Sequence, residues 1–424
     1  MSAAVTFQRD DSLRHKALLR LASVVCLGAG VFLAGYVINE PAPYELFMVA
    51  LIAIWALFGL RVSRTVAPLL VMLCVFNLGG LIAMTQMAEL KDTPLYISVS
   101  LFLAFTAVFY AAIIERDHTL LPIIFRAYTA AAVFTSVLGV LGYFRLLPGT
   151  EIFTLYDRAR GGFQDPNVFG PFLMLPAAWL TYGILKDRPS KAPMLIVALL
   201  FVSLGCFLSF SRAAWGMQAA VVLMVTAVVF IESHSATFRL RIILLLGFAI
   251  ALLAVTLFIA MQIPLVADMF LNRAKLVQDY DGARLGRFAR HGIGYLMAIE
   301  NPLGIGPLVF GQQLGEDTHN IWLKALLDYS WLGFAAYMAL TWITLGIGFK
   351  LLFRKRPWQQ FLVCAYVVYV AHVVVGNFID TDHWRHFYLL LGIIWGSYGL
   401  EKKHQRNNRY SIQAPVPSAL TSRA

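Results

Sequence analysis

Long apolar runs constrain the fold of this chain more than any other feature. A helix needs about 20 mainly apolar residues to cross the hydrocarbon core of a bilayer, and twelve runs of about that length follow one another along the 424 residues. They span approximately 20–39, 44–60, 66–86, 95–114, 122–144, 168–185, 193–210, 213–231, 240–263, 325–349, 359–379 and 385–400. The sequence therefore predicts an all-α polytopic membrane protein with about twelve transmembrane helices.

The composition excludes a soluble globular protein. Hydrophobic residues make up 59% of the chain and charged residues only 13%, whereas soluble domains contain about 45–50% and about 25% of these classes. The four cysteines, Cys26, Cys74, Cys206 and Cys364, lie far apart inside apolar runs, without the spacing of a metal or redox motif. The net charge of +11 comes largely from the ends of the apolar runs, which indicates contact with a lipid bilayer and not with nucleic acid.

The lysines and arginines between the apolar runs indicate an orientation. With the N-terminus in the cytoplasm, 22 of the 34 basic residues fall on the cytoplasmic side, although the outer loops contain far more sequence. Both termini are therefore expected in the cytoplasm, as a short segment at 1–19 and a basic tail at 401–424. The blocks 20–263 and 325–400 then hold nine and three of the predicted transmembrane helices.

Two outer loops are longer than the others and rich in arginine. The first spans 145–167, and the second, at 264–324, is long enough for a partly helical structure outside the membrane. Arginine on the outer side opposes the usual positive-inside distribution, so the outer surface is expected to use positive charge. Polar groups concentrated at such a cost often mark the functional site of a membrane protein.

Residues 283–300 form an amphipathic pattern inside the second loop. On a helical wheel, apolar residues fall on one arc, and Arg284, Arg287, Arg290 and His291 gather on the opposite arc. Such a basic face either anchors a helix to phospholipid headgroups or binds an anionic group of a substrate, such as a phosphate or diphosphate. Arginine suits the second role because its planar guanidinium makes paired hydrogen bonds to phosphate oxygens.

His319 lies in the polar stretch 315–320, immediately before the apolar residues that begin at Ile321. A single histidine is more often structural than catalytic. This one, however, lies beside Glu316 and Asp317 in the most polar part of the largest outer loop, so it is also a candidate catalytic residue. No group of side chains in the outer loops has the spacing of metal ligands, and neither a metal nor a cofactor is expected.

Three blocks resemble the family of O-antigen ligases and Wzy-type polymerases, which are bacterial inner-membrane glycosyltransferases acting on lipid-linked glycans. The blocks are Arg160-Gly161-Gly162-Phe163 with Pro166-Asn167, then Ser209-Phe210-Ser211-Arg212-Ala213-Ala214, and the segment 284–333 with Arg287, Pro302-Leu303-Gly304 and His319-Asn320. Together they cover about 160–335, with the large outer loop in the place that the family has it. The resemblance implies a GT-C-like membrane glycosyltransferase with one large periplasmic loop.

One position departs from the family's ligase pattern, which has His, then Asn, Ser or Gln, then nine residues, then Gly. After His319 and Asn320, the position of that Gly is held by Ser330, and the next Gly is Gly333. The departure leaves the resemblance to the family intact, but it weakens the case for a ligase over a polymerase.

The resemblance implies a glycan donor on undecaprenyl diphosphate at the periplasmic face of the bacterial inner membrane. A hydroxyl of the acceptor, a glycan or lipid A-core, attacks the anomeric carbon with inversion, and the lipid diphosphate leaves. By position, Arg212 and Arg287 would hold the diphosphate as its charge develops, and Arg284 is the third candidate. Arg160 and Arg290 are further candidate contacts of the substrate.

Four other residues have two interpretations or a role implied by the resemblance. His319 is implied to be the general base, because histidine ordinarily titrates near neutral pH. Asn320 either caps the following helix or orients the acceptor. Asp165 and Asn167, on either side of Pro166, cap the next helix or contact a sugar.

Within the family, a ligase transfers the finished chain to lipid A-core, whereas a polymerase joins repeat units of O antigen or exopolysaccharide on the carrier. The sequence leaves both open, and it indicates no oligomeric state. The alternative from another class is a twelve-helix secondary transporter or a lipid-linked glycan flippase. A transporter predicts repetition between two halves and charges in mid-membrane, and the sequence displays neither.

Overall fold

The computed structural model describes residues 2–274 and 286–413, and the chain is about 76% helical. The helices in the described ranges are α1 (Ser2–Leu33), α2 (Pro43–Leu57), α3 (Ala67–Met84), α4 (Thr93–Arg116), α5 (Leu121–Tyr143), α6 (Pro166–Phe172), α7 (Met174–Lys186), α8 (Ala192–Leu208), α9 (Arg212–Glu232), α10 (Ala236–Ala260), α11 (Pro264–Ala274), α12 (Arg287–Glu300), α13 (Val309–Leu314), α14 (Ile321–Asp328), α15 (Ser330–Leu351), α16 (Gln359–Val375) and α17 (Arg385–Gln413). A two-stranded antiparallel hairpin, β1 (Thr154–Leu155) and β2 (Arg158–Ala159), lies between α5 and α6.

Nine helical stretches in the described ranges are long and apolar enough to cross a membrane, judged by length and composition. They are Lys16–Leu33, Ala67–Met84, Thr93–Arg116, His118–Tyr143, Pro166–Lys186, Pro189–Leu208, Arg212–Glu232, Ala236–Ala260 and Ser330–Leu351. The other three predicted segments coincide with the shorter apolar helices α2 and α16 and with the first part of α17. The prediction of an all-α polytopic membrane protein is confirmed.

Local signals in the sequence fix where the helices begin. Proline lies in the first turn of α2, α3, α4, α5 and α8, where its missing N–H needs no partner. The Ser235 hydroxyl caps α10 by accepting a hydrogen bond from the Phe238 N–H at 3.3 Å. The tenth predicted segment is divided into α14 and α15, because Ser330 has a φ of +62° and left-handed backbone interrupts a helix.

Glycines allow the closest helix contacts in the bundle. A Cβ on Gly392 of α17 would lie 2.5 Å from Tyr110, and a Cβ on Gly396 would lie 2.8 Å from Ile114, both on α4. Between apolar helices in lipid, association depends on van der Waals contact of this kind more than on burial from water. In contrast, α10 lies at the periphery with Ile242 as its buried residue.

The bundle has two ends that are well separated. Helix α15 extends from Ser330 to Leu351, and its 22 residues cover about 33 Å at 1.5 Å per residue. We call the end with the β-hairpin, the segment 301–320 and the α16–α17 loop the His319 end. The opposite end, with the α7–α8 and α15–α16 loops, is the Arg354 end.

Candidate active site

His319 lies half-buried in a turn that leads into α14. Its φ of +49° is in the left-handed region, which costs a residue other than glycine about 1–2 kcal/mol and requires contacts that hold it. Asp380, in the α16–α17 loop, provides such contacts. Its Oδ2 accepts a hydrogen bond from the His319 N–H at 3.1 Å, and its Oδ1 accepts from the Asn320 N–H at 2.9 Å. The Thr318 hydroxyl also donates to Asp380 at 2.8 Å, so one carboxylate fixes three consecutive residues.

Asn320 caps α14. Its side-chain Oδ1 accepts hydrogen bonds from the backbone N–H groups of Trp322 at 3.0 Å and Leu323 at 3.1 Å. Its Nδ2 donates to the Asn377 carbonyl in the α16–α17 loop at 3.3 Å. Of the two interpretations of this residue, the geometry shows the cap, which joins the start of α14 to the same loop that supplies Asp380.

Ser330 lies at the junction of α14 and α15, at the position where the family's ligase pattern has glycine. Its φ of +62° belongs to the region that glycine adopts freely. The side chain is buried, and within the described ranges its hydroxyl has no hydrogen-bond partner. The backbone at this position therefore has a conformation suited to glycine although the residue is serine.

A buried lysine lies beneath the His319 turn. Lys324, 1% exposed, donates from Nζ to Asp317 at 2.6 Å and lies 3.2 Å from Asp328 Oδ2. Its ammonium group also lies 5.5 Å from the centre of the Tyr96 ring. Burial lowers the pKa of Lys324, but the carboxylates of Asp328 and Asp380 outweigh burial and raise this pKa well above its usual value. Lys324 is therefore charged at neutral pH, and Asp317 and Asp328 lie around its ammonium group.

Asp382 is the second acid in the α16–α17 loop, and it joins that loop to α4 and to the junction of α14 and α15. Its Oδ2 accepts hydrogen bonds from the hydroxyls of Tyr96 at 2.7 Å and Tyr329 at 3.1 Å. The ring nitrogen Nδ1 of His383 lies 2.9 Å away. Burial raises the pKa of Asp382, but His383 and Lys324 lower it more, so its pKa lies well below the usual range. Asp382 is therefore charged at neutral pH.

Asp380 differs from Asp382 in its protonation behaviour. Burial raises the pKa of Asp380 to about 6. The cation of Lys324 lowers this pKa, but burial together with the charges of Asp317 and Asp382 outweighs it. The carboxylate that fixes the His319 turn thus titrates closer to neutral pH than an exposed aspartate does.

Helix α12 is fastened to the segment that precedes His319. Arg290 is buried and forms an ion pair with Glu316, and the Nε2 atom of His291 lies 2.8 Å from the Thr318 carbonyl. A Cβ on Gly294 would lie 2.7 Å from Leu323 of α14, so this face of α12 packs closely. The sequence predicts Arg290 on the basic face of this helix, and in the structure its side chain is buried and paired with Glu316.

The other two arginines of this pattern are described only in part. Helix α12 begins at Arg287, after the N-cap residue Gly286, and the backbone of Arg287 is described while its side chain is not. Arg284 lies outside the described residues. The predicted role of both in binding a diphosphate stays a prediction.

Arg158 organises a second cluster at the His319 end. It is 6% exposed, and its Nε donates to the Ser209 carbonyl at 2.7 Å. Its Nη2 donates to the Asn167 Oδ1 at 2.8 Å. This buried guanidinium joins the first and second blocks of the family pattern, and it holds Asn167 by its side chain.

The predicted residues beside Asn167 have structural partners. Asp165 caps α6, because its Oδ1 accepts a hydrogen bond from the Asn167 N–H at 2.6 Å. Arg160 donates from Nε to the Ile152 carbonyl and from Nη1 to the Gln164 carbonyl, each at 3.1 Å. Capping, one of the two interpretations of Asp165, is what the geometry shows, and Arg160 braces the loop around the hairpin.

Arg212 is the first residue of α9 and is half-buried. The preceding Ser211 caps the helix, with its hydroxyl 3.5 Å from the Ala214 N–H. The N-terminus of a helix carries partial positive charge, so the guanidinium and the helix terminus act in the same direction on an anion. Arg212 therefore lies where positive charge is concentrated.

The α1–α2 loop connects the two clusters. The Val37 N–H donates to the Gly162 carbonyl beside the hairpin. Further along this loop, Glu40 accepts a hydrogen bond from Arg385 at 3.0 Å, and Arg385 follows closely after Asp382. All the described predicted residues thus lie at the His319 end.

Two residues important to this arrangement, Asp380 and Lys324, were not predicted from the sequence. The polar segment 377–383 between two apolar runs was a usable signal for Asp380, since acidic residues are few in this chain. For Lys324 the local signal was Asp328, four positions later on the same helix, whereas its other partner, Asp317, lies in the preceding segment. Among the described residues, no group of three or more His, Cys, Asp or Glu side chains is arranged to hold a metal ion.

Comparison with known proteins adds no assignment to this geometry. No protein-family model matches the chain, and no curated protein matches it. The three sequence blocks and the geometry of the His319 end are therefore the basis for assigning a function.

Proposed function

We propose that the protein is a membrane glycosyltransferase of the O-antigen ligase and Wzy-type polymerase kind. It moves a glycan from undecaprenyl diphosphate to an acceptor hydroxyl, in O-antigen or exopolysaccharide biosynthesis. The observation that carries the proposal is the His319 turn, because a half-buried histidine in left-handed backbone is held there by three hydrogen bonds to Asp380. Constraint of this kind is typical of functional positions.

The proposed reaction needs a base and a site for an anion. His319 takes the proton from the acceptor hydroxyl as its oxygen bonds to the anomeric carbon, and the bond from that carbon to the diphosphate oxygen breaks. Arg212, Arg287 and Arg284 stabilise the negative charge that develops on the leaving lipid diphosphate. The half-buried position of Arg212 at the start of α9 supports this role.

The proposal includes an orientation in the bacterial inner membrane. The three apolar segments outside the nine long helices also cross the membrane, which gives twelve transmembrane spans. Both termini then lie in the cytoplasm, and the His319 end faces the periplasm. The distribution of lysine and arginine supports this orientation, since the α7–α8 and α15–α16 loops at the Arg354 end carry Arg188, Lys191, Arg354, Lys355 and Arg356.

A deletion strain tests the proposal when it is complemented with the wild-type protein, His319→Ala or Arg287→Lys. Lipid and glycan profiles are expected to be restored by the wild type and not by either variant. His404→Ala is the control, because His404 lies on α17 near the Arg354 end, against Trp358. A normal profile with His319→Ala would contradict the role of a base.

The same profiles separate the two activities. If the deletion strain keeps long glycans on undecaprenyl diphosphate but lacks them on lipid A-core, the protein is a ligase. If only single repeat units remain on the carrier, it is a polymerase. A deletion strain that displays neither of these two patterns would contradict the proposed function as a whole.

A further inference from the structure

The Arg354 end contains a cavity that the proposed reaction does not use. It has a volume of about 770 Å³ and is lined by the ends of α7 and α9 and by the α15–α16 loop. Its lining includes four cations, Lys186, Arg354, Lys355 and Arg356, and the single acid Glu232. A cavity of several hundred Å³ is within the usual range for binding a small molecule or a headgroup, and this one favours an anion.

Two of the four cations are already paired. Lys186 lies 3.1 Å from Glu232 and also 5.9 Å from the centre of the Tyr182 ring. Arg356 donates from Nε and Nη2 to the two carboxylate oxygens of Glu401, at 2.6 Å and 3.0 Å. In these two pairs the positive charge is balanced by a carboxylate. The net positive charge of the cavity therefore comes from the other two cations.

Arg354 and Lys355 carry that excess charge. Both are exposed, and neither forms a salt bridge with any residue in the ranges 2–274 and 286–413. They lie next to one another in the α15–α16 loop, so an anion in the cavity can contact both guanidinium and ammonium groups. The desolvation cost is low because the two groups already lie at the surface.

The same cavity has an apolar side. Ile231, at the end of α9, is 58% exposed, and Phe353, in the α15–α16 loop, is 49% exposed. Both line the cavity and lie at the ends of apolar helices that are long enough to cross a membrane. A free phosphate uses only the cations, whereas a phospholipid uses the cations for its phosphate and the apolar side chains for its acyl chains.

We propose that this cavity is a binding site for the headgroup of an anionic phospholipid. Arg354 and Lys355 bind the phosphate, and Ile231 and Phe353 contact the upper part of the acyl chains. Basic pockets between transmembrane helices are known to bind lipid headgroups by this combination. The site lies a full helix length from His319, and the inference does not depend on the proposed glycosyl transfer.

Lipid retention by the full-length protein tests the inference. The protein is reconstituted in nanodiscs of phosphatidylcholine and phosphatidylglycerol in equal amounts and released into mild detergent. The retained lipid is then identified by native mass spectrometry. Wild type is expected to retain phosphatidylglycerol selectively, and the double variant Arg354→Gln/Lys355→Gln is expected to lose that preference by about tenfold or more. Both residues are exposed, so the variant is expected to fold.

A matched control is Arg188→Gln/Lys191→Gln, which removes two exposed cations at the same end but outside the cavity. This control is expected to keep the preference. An equal loss in the control, or no preference in wild type, would overturn the inference. Phe353→Ala and competition with inorganic phosphate distinguish the source of the anion. If the site binds a phospholipid, Phe353→Ala weakens lipid retention and inorganic phosphate does not displace the lipid. Unchanged retention by Phe353→Ala together with displacement by phosphate would contradict a lipid site.

Discussion

The two ends of the bundle differ in whether their charged side chains are buried or exposed. At the His319 end, Lys324, Arg158 and Arg290 are buried, and each has a defined partner. At the Arg354 end, Arg354 and Lys355 are exposed and lie in an open cavity. Buried charges are costly and must be matched by partners, whereas exposed charges cost little. The comparison indicates that the His319 end is built to hold one geometry and that the Arg354 end is built to attract an anion.

The largest difference between the ends is expected from removing one lysine at each. Lys324→Met leaves Asp317 and Asp328 without their buried cation, and the free energy of unfolding is expected to fall by about 3–5 kcal/mol. Lys355→Met at the Arg354 end is expected to change it by less than about 0.5 kcal/mol. The stability of both variants is measured by thermal unfolding in detergent, with size-exclusion chromatography as the readout of the folded fraction. If the two variants are equally stable, the buried charge at the His319 end is no more important to stability than the exposed charge at the Arg354 end, which would contradict the comparison.

Replacing an aspartate at each end tests the His319 turn. Asp380→Ala removes three hydrogen bonds from residues 318–320, and the expected loss is about 2–4 kcal/mol because three donors lose their acceptor. Asp187→Ala, at the exposed end of α7, is the matched control and is expected to have little effect. Limited proteolysis of the segment 301–320 measures the loosening of the turn. A cleavage pattern unchanged by Asp380→Ala would contradict the anchoring role.

The pH dependence of stability isolates the protonation of Asp380. The pKa of its folded form is raised to about 6 from 3.8, so the folded state holds this proton more tightly than the unfolded state does. The contribution of Asp380 to stability is therefore largest below pH 3.8 and decreases as the pH rises towards 6. Compared with Asp380→Asn, wild type is expected to lose a few degrees of melting temperature across this window. Parallel curves for the two proteins would contradict the raised pKa.

The smallest expected effect concerns the junction at Ser330. Ser330→Gly relieves a left-handed serine and removes a buried hydroxyl, and it is expected to stabilise the protein by about 1 kcal/mol. Ser330→Ala removes the same hydroxyl but keeps the strained backbone. Thermal unfolding of the three proteins ranks them, with Gly expected above Ala. If Ser330→Ala stabilises the protein as much as Ser330→Gly does, the left-handed backbone at this position does not lower the stability of the wild type.

The sequence predicted the helical segments well, because hydropathy dominates where a chain is solvated by lipid. It also offered capping as one role of Asp165 and of Asn320, because caps depend on neighbours in sequence. It missed the division at Ser330, since a positive φ in a serine leaves no local pattern. It likewise missed Asp380, because the contact with His319 joins residues that lie 61 positions apart. The pairing of Arg290 with Glu316 was also not predicted, since helical periodicity does not report a contact with another segment.

Release of undecaprenyl diphosphate by the purified protein tests the central claim most directly. The wild-type protein in detergent is supplied with an undecaprenyl-diphosphate-linked glycan and an acceptor glycan, and the released lipid and extended glycan are quantified together. Wild type is expected to form both in equal amounts, and His319→Gln is expected to be slower by about 10²–10⁴-fold, the usual contribution of a general base. Unchanged release by His319→Gln would contradict the role of His319, and the absence of release by wild type would contradict glycosyl transfer itself.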